Sequence, residues 1–163
     1  MGITFNIDEV FELAEQIERN GAKFYRKAAE AAGNEDARDL LLSLAVMEDE
    51  HEATFKAMRA EVAADEKAAT IYDPEGQSAA YLRAMASGHV FDMSSDPSEK
   101  LTGSETLQDI LADAINAEKN SIVFYLGIKD VVPEKLGKEK IEPIIKEEMS
   151  HITLLVDKIS ALG

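Results

Sequence analysis

The chain has 163 residues, of which 45% are hydrophobic and 30% charged, and its formal net charge is -15 at pH 7. This length and composition predict a single globular domain over residues 1–163, and the strong negative charge argues against nucleic acid and anionic membranes as partners. The absence of cysteine excludes disulfides, iron–sulfur clusters and thiolate zinc sites. Because the first residues do not resemble a signal peptide and no apolar stretch is long enough to span a membrane, we expect a cytoplasmic protein.

Four segments have the periodicity of amphipathic helices, and no segment has a convincing strand pattern. The first helix is predicted over 8–32 with Asp8 as its N-cap, and the second over 35–66. Ser104 is the predicted N-cap of a third helix that ends near 131, and the fourth is predicted over 138–162. The predicted inward-facing residues include Val10, Leu13, Ile17 and Phe24 in the first helix, Leu44, Met47, Phe55 and Met58 in the second, Leu107, Leu111 and Ile122 in the third, and Ile141, Ile152, Leu155 and Ile159 in the fourth.

The segment 67–103, which contains most of the prolines and several glycines, separates the second predicted helix from the third. We interpret it as a crossover connection with a short helix over 77–87, because neither pair of helices alone can close a core. Short loops within each pair make its two helices antiparallel neighbours. The predicted fold class is therefore all-α: a four-helix bundle of two antiparallel pairs joined by a long crossover.

An internal repeat of 100 residues carries the functional prediction. When the chain is shifted by 100 positions, several polar and aromatic residues fall on residues of the same type. The matched pairs are Glu18 with Glu118, Phe24-Tyr25 with Phe124-Tyr125, Glu48 with Glu148, and His51 with His151. Each half of the chain therefore contains a glutamate, a Phe-Tyr pair and a Glu-x-x-His motif at identical spacing.

The matched glutamates and histidines fall on the apolar faces of the predicted helices. No lysine or arginine on the same faces pairs with them, and an unpaired buried carboxylate is costly. Two divalent cations would balance four carboxylates, and the i, i+3 spacing within Glu-x-x-His directs both side chains to one site. Mixed carboxylate and imidazole ligands suit iron or manganese. We therefore predict two iron ions per chain, with manganese as the alternative, held by Glu18, Glu48, His51, Glu118, Glu148 and His151.

One glutamate from each of two helices and Glu-x-x-His from each of the other two resemble the ferritin-like di-iron carboxylate superfamily, and within it the rubrerythrin-type domains. The resemblance extends over 8–162 and implies a ferritin-like bundle. It also implies that Glu18 and His51 are terminal ligands of one metal and that Glu118 and His151 are terminal ligands of the other. Glu48 and Glu148 would then bridge the two metals.

The same resemblance implies an oxidoreductase that reacts with hydrogen peroxide or dioxygen. Full-length rubrerythrins carry a cysteine-ligated rubredoxin-like module, and because this chain has no cysteine we expect an external electron-donor protein. Ile115 occupies a position where rubrerythrin-type sites tend to have an extra glutamate, so the six-ligand set is closer to the ferroxidase sites of ferritins and bacterioferritins. Iron storage and a non-enzymatic metal-binding module therefore stay open as alternatives. We also expect a homodimer or a larger homo-oligomer, as is common for ferritin-like bundles.

Tyr25 and Tyr125 lie two helical turns after Glu18 and Glu118 on the same helix faces. We predict that their hydroxyls support the ligand carboxylates, with a role in electron transfer implied by the resemblance and an ordinary core tyrosine as the alternative.

Three further acidic residues and one histidine lie outside the predicted ligand set. We expect Glu15 to be exposed rather than a seventh ligand, and Glu52 and Glu147 to be solvated or to line the mouth of the site. His89 is predicted to be a surface histidine in the crossover.

Overall fold

The computed structural model describes residues 6–62 and 97–163, together with positions 77, 80, 81 and 84. In the two continuous ranges the chain forms four α-helices, which are α1 (Ile7–Ala31), α2 (Glu35–Ala60), α3 (Leu107–Val131) and α4 (Ile141–Ala161). Short 3-10 helices lie at Pro97–Lys100, Glu134–Leu136 and Lys138–Lys140, and these ranges contain no β-strand. The predicted all-α four-helix bundle is confirmed.

The ends of the first helix pair differ from the predicted boundaries. Asn6, rather than Asp8, is the N-cap of α1: its side chain accepts a hydrogen bond from the amide of Glu9, whose carboxylate accepts one from the amide of Asn6. This reciprocal pair satisfies two amides that have no partner inside the helix. α2 ends at Ala60 rather than near 66, because the next amides bond carbonyls three residues back and tighten the final turn.

The starts of the second helix pair also differ from the prediction. Thr106, rather than Ser104, caps α3, again by a reciprocal exchange of hydrogen bonds, here with Asp109. α4 begins three residues later than predicted, because a separate 3-10 turn precedes it. That turn is entered through Gly137, whose φ of 90° lies in the left-handed region that favours glycine.

Ion pairs show that both helix pairs are antiparallel. Arg59 near the end of α2 donates from Nε and Nη2 to the two carboxylate oxygens of Asp8 at the start of α1, each at 2.9 Å. Lys129 near the end of α3 pairs with Glu142 at the start of α4. The predicted antiparallel arrangement within each pair is therefore correct.

The buried core consists of two apolar clusters with a polar layer between them, and all four helices contribute to both clusters. The first apolar cluster includes Val10, Phe11, Phe55, Met58, Phe124, Tyr125, Ile128, Ile141 and Ile145. The second apolar cluster includes Phe24, Tyr25, Ala28, Leu41, Leu44, Ile110, Leu111 and Leu155. Several side chains predicted to face inward are only half-buried, among them Leu13, Ile17, Met47, Leu107, Ile122, Ile152 and Ile159.

Most of the predicted crossover, with His89, lies outside the described residues. The four single positions described within it are helical, and the hydroxyl of Tyr81 donates to the carbonyl of Val123 in α3. Where the continuous chain resumes, Lys27 of α1 donates from Nζ to the carbonyl of Ser98 at 2.7 Å. Among the described residues, no helix combines the length and the apolar character needed to cross a membrane.

Candidate metal centre

The structure brings all six predicted ligand residues together in the polar layer. Every helix contributes: α1 and α3 each supply one glutamate, and α2 and α4 each supply a Glu-x-x-His motif. None of the six residues is more than 4% exposed, and these are Glu18, Glu48, His51, Glu118, Glu148 and His151. Four carboxyl groups are therefore buried between two apolar clusters, where an uncompensated charge is costly.

The potential ligand atoms form two overlapping groups. Within each group, one carboxylate oxygen or imidazole nitrogen per residue lies within 4.8 Å of all the others. The first group is Glu18, Glu48, His51 and Glu148, and the second is Glu48, Glu118, Glu148 and His151. Glu48 and Glu148 are common to both. Two shared carboxylates between two sets of terminal groups are what a pair of neighbouring cations requires, although the ligand assignment itself stays a prediction.

Both imidazoles turn their Nδ1 atoms towards the carboxylates. Nδ1 of His51 lies 2.8 Å from Oε1 of Glu148. Nδ1 of His151 lies 3.2 Å from Oε1 of Glu48 and 3.3 Å from Oε1 of Glu118. The two rings are nearly parallel, with centroids 5.8 Å apart and planes inclined by 17°. Nδ1 is therefore the atom that each histidine presents to a metal.

The Nε2 atoms of the two histidines have different surroundings. Nε2 of His51 lies 2.6 Å from Oε2 of Glu147, a residue of α4 whose side chain is 49% exposed. Nε2 of His151 is buried and has no hydrogen-bond partner among the described residues. Glu147 is solvated as predicted, but its contact with His51 was missed. Nothing in the repeat suggested it, because the residue 100 positions earlier is Met47.

Hydrogen bonds from the two tyrosines link one helix pair to the other. The Tyr25 hydroxyl in α1 donates to Glu118 in α3, and the Tyr125 hydroxyl in α3 donates to Glu18 in α1. Burial, followed by the charge of the bonded glutamate, raises the pKa of each tyrosine well above its usual value. Both hydroxyls therefore stay protonated and act as donors, while a catalytic role for them stays a prediction.

In the absence of a cation, the polar layer retains protons. Burial, with repulsion from Glu148, raises the pKa of Glu118 to about 8. Burial lowers the pKa of His51, but hydrogen bonds and charges from Glu148 and Glu18 outweigh that effect and raise it to about 11. Neighbouring carboxylates in the same way raise the pKa of His151 to about 12. The acidic cluster therefore attracts positive charge strongly, whether as protons or as metal ions.

The potential ligand atoms that make no well-directed hydrogen bond are suited to bind metal ions. Seven buried side-chain atoms make no well-directed hydrogen bond among the described residues, and all belong to predicted ligands: Glu18 Oε2, Glu48 Oε1, His51 Nδ1, both Oε atoms of Glu148, and both ring nitrogens of His151. Gly21 leaves room beside them, since a Cβ at that position would lie 2.8 Å from Oε2 of Glu48. Buried oxygen and nitrogen atoms that face one another without well-directed hydrogen bonds are what a metal ion would satisfy.

Two acidic side chains predicted to be exposed or solvated are instead held by arginines. Glu15 is 6% exposed, and its carboxylate lies 3.6 Å from Arg59 and 3.9 Å from Arg19. Glu52 is 12% exposed and accepts hydrogen bonds from Nε and Nη2 of Arg19 at 3.0 and 2.8 Å. The prediction of an exposed Glu15 is therefore wrong, whereas Glu52 is partly buried and its place at the mouth of the site stays a prediction. Neither residue is in the two groups of potential ligand atoms.

Comparisons with known proteins agree with this geometry. A family model for rubrerythrin matches residues 3–59. A solved structure from Thermotoga maritima, provisionally described as a ferritin-like diiron-carboxylate protein, matches with a TM-score of 0.76 and 25% identity over 98% of each chain. The chain therefore has a ferritin-like fold, and its first helix pair is similar to rubrerythrin. No curated protein sequence matches the chain. The structural match covers the whole four-helix bundle, beyond the residues matched by the family model.

Proposed function

We propose that this ferritin-like domain is a di-iron oxidoreductase that reacts with hydrogen peroxide or dioxygen. The observation that carries the proposal is the pair of overlapping groups of buried ligand atoms that share Glu48 and Glu148. The description of the structural relative as a diiron-carboxylate protein supports iron as the metal, as does the mixture of carboxylate and imidazole donors.

The ligand roles follow from membership of the two groups. Glu18 and His51 would hold one iron and Glu118 and His151 the other, and Glu48 and Glu148, which belong to both groups, would serve both ions. Four carboxylates balance the charge of two divalent ions, so loading removes the charge imbalance that otherwise retains protons in the layer. Each terminal glutamate is oriented by a tyrosine hydroxyl from the opposite helix pair.

Bound iron would supply one-electron redox chemistry at each of two ions, and the two electrons together reduce one hydrogen peroxide to two waters. That reduction also consumes two protons. Glu147 contacts both solvent and His51, so it provides a polar connection from water to the edge of the layer. The two apolar clusters separate the layer from water along the bundle axis. An external donor protein would restore the electrons.

The proposal is tested by anaerobic loading with iron(II), followed by peroxide or dioxygen. We expect two irons per chain and a ferric absorption that develops faster with peroxide than with dioxygen. Glu148→Ala should abolish both, because Glu148 belongs to both groups of ligand atoms. Glu139→Ala is the control, since it removes an exposed glutamate before α4 and should leave both unchanged. Hundreds of irons per assembly would indicate storage instead, and the absence of tight iron binding would overturn the proposal.

A further inference from the structure

The surroundings of the two imidazoles break the symmetry of the polar layer. Nε2 of His51 has a carboxylate partner at 2.6 Å, in Glu147. Nε2 of His151 is buried without a hydrogen-bond partner among the described residues. The repeat explains the difference, because Glu147 directly precedes Glu148 on α4 and the corresponding residue before Glu48 on α2 is Met47.

A carboxylate behind a metal-binding histidine strengthens that ligand. It accepts the outward ring N–H, fixes the tautomer and orientation of the ring, and makes the inward nitrogen more basic. A methionine side chain cannot do this, because its thioether is only a weak acceptor. Met47 is half-buried and packs against the second apolar cluster, so the α2 position adds packing rather than a charged acceptor.

Two other features of the centre are common to both metal positions. Glu48 and Glu148 are shared by both groups of ligand atoms. Each terminal glutamate accepts one tyrosine hydroxyl from the opposite helix pair. The outward partner of the histidine is a difference between the two sets that directly contacts a predicted ligand.

We propose that the two metal positions are unequal: the position formed by Glu18 and His51 fills first and binds its ion more tightly than the position formed by Glu118 and His151, because Glu147 supports only His51. This inference rests on the two-metal centre proposed above and adds an order of loading to it. At one metal ion per chain, that ion occupies the His51 position. The second ion is the one that exchanges more readily.

Zinc titration of the metal-free full-length chain against a chelator tests the inference, because zinc is redox-inert and reports binding alone. Two ions should bind the wild type with affinities that differ roughly 10- to 100-fold, the usual effect of a partner behind a ligand. Glu147→Met should lower the stronger affinity to the level of the weaker one. Met47→Glu should raise the weaker affinity towards the stronger one.

Two controls separate this effect from a general change of charge. Glu50→Met removes an exposed carboxylate next to His51, and Val46→Glu adds one at an exposed position next to Met47. Both should preserve the affinity difference of the wild type. NMR of the ring nitrogens in ¹⁵N-histidine-labelled protein identifies the position that fills. At one equivalent of zinc the His51 signal should shift first in the wild type, and both histidine signals should shift together in Glu147→Met.

The outcomes distinguish the inference from the proposed function. Two zinc ions of equal affinity in the wild type, or an unchanged difference in Glu147→Met, would overturn the inference and leave the two-metal centre standing. Failure of the wild type to bind either zinc or iron(II) tightly would overturn the proposed function, and the inference with it.

Discussion

The α1–α2 pair and the α3–α4 pair contribute the same types of residue to the polar layer. The contacts that hold the two helices of each pair together are different. Three arginines form ion pairs across the first helix pair, among them Arg59 with Asp8, Arg19 with Glu52, and Arg26 with Asp49. One hundred residues later, the corresponding pairs of positions hold Ile159 with Gln108, Lys119 with Ile152, and Leu126 with Met149. Of these, Leu126 is 48% and Met149 is 50% exposed.

The two helix pairs therefore agree in the residues of the polar layer and differ in the outer contacts between their helices. The glutamates, tyrosines and histidines are the same in both halves, because two metal positions impose the same chemistry on each half. The outer contacts can differ, because either ion pairs or apolar packing can hold two helices side by side. Glu147 and Met47 occupy corresponding positions in the two halves, next to a predicted ligand. They differ in type, and Glu147 contacts the imidazole of His51.

The largest expected effect is on metal content, when a predicted terminal ligand or a shared glutamate is replaced by alanine. Glu18→Ala and Glu118→Ala should each reduce the metal content from two ions to one, because each glutamate belongs to only one group of ligand atoms. Glu48→Ala should lose both ions. Elemental analysis of protein loaded with iron(II) under anaerobic conditions measures these numbers. Loss of both ions in Glu118→Ala would contradict the division into two groups.

The tyrosines should act on the half opposite to their own. Tyr25→Phe leaves Glu118 without its hydroxyl donor, so it should weaken the ion on the His151 side roughly 10- to 100-fold. Tyr125→Phe should do the same to the ion on the His51 side through Glu18. Zinc titration with the NMR signals of the two histidines measures both. If Tyr25→Phe instead weakened the ion on the His51 side, and Tyr125→Phe the ion on the His151 side, these hydrogen bonds would not control binding.

Ion pairs should matter more to stability in the first helix pair than in the second. Arg59 is 27% exposed and contacts three carboxylates, including the buried Glu15. Arg59→Ala should therefore lower the free energy of unfolding by about 1–3 kcal/mol. Lys129→Ala removes the more exposed pair with Glu142 and should cost less, because water screens an exposed ion pair. Urea denaturation of the metal-free variants measures both, and equal losses would contradict the comparison.

A smaller effect should be common to both halves. Both histidines and Glu118 have raised pKa values in the metal-free protein, at about 11, 12 and 8. These groups hold more protons folded than unfolded, so their stabilisation is complete below the unfolded pKa values and is lost as the pH rises through the folded ones. The melting temperature of the metal-free protein should therefore fall between about pH 6.5 and pH 9, and zinc should reduce that dependence. A rise over this range would contradict the assigned protonation.

The sequence was sufficient to predict the bundle and the composition of its polar layer. The 100-residue repeat selected the six residues that meet in the structure, because helical spacing reports reliably which side chains share a face. Contacts between helices were harder to predict. Glu15 seemed exposed because its partners, Arg19 and Arg59, approach from the next turn and from the neighbouring helix.

The partners of the tyrosines and of His51 also required the structure. Tyr25 and Glu18 lie on the same face of α1, so the sequence alone cannot show that the hydroxyl bonds Glu118 of α3 instead. Likewise, Glu147 is one residue away from a predicted ligand, and only the packing of α4 against α2 reveals that it contacts His51. The predicted N-caps of α1 and α3 were each wrong by two residues, since several polar residues near the starts of these helices are suitable N-caps.

The placement of the polar layer between two apolar clusters determines the route by which an ion reaches it. Travel along the bundle axis would take a hydrated charge past fully buried side chains, such as Phe11 and Phe55 at one end or Leu41 and Leu44 at the other. Stripping water from an ion in such surroundings is strongly unfavourable. The flank where Glu147 contacts both solvent and imidazole offers oxygen atoms that can replace that water in steps. An ion is therefore expected to enter through the side of the bundle, next to Glu147.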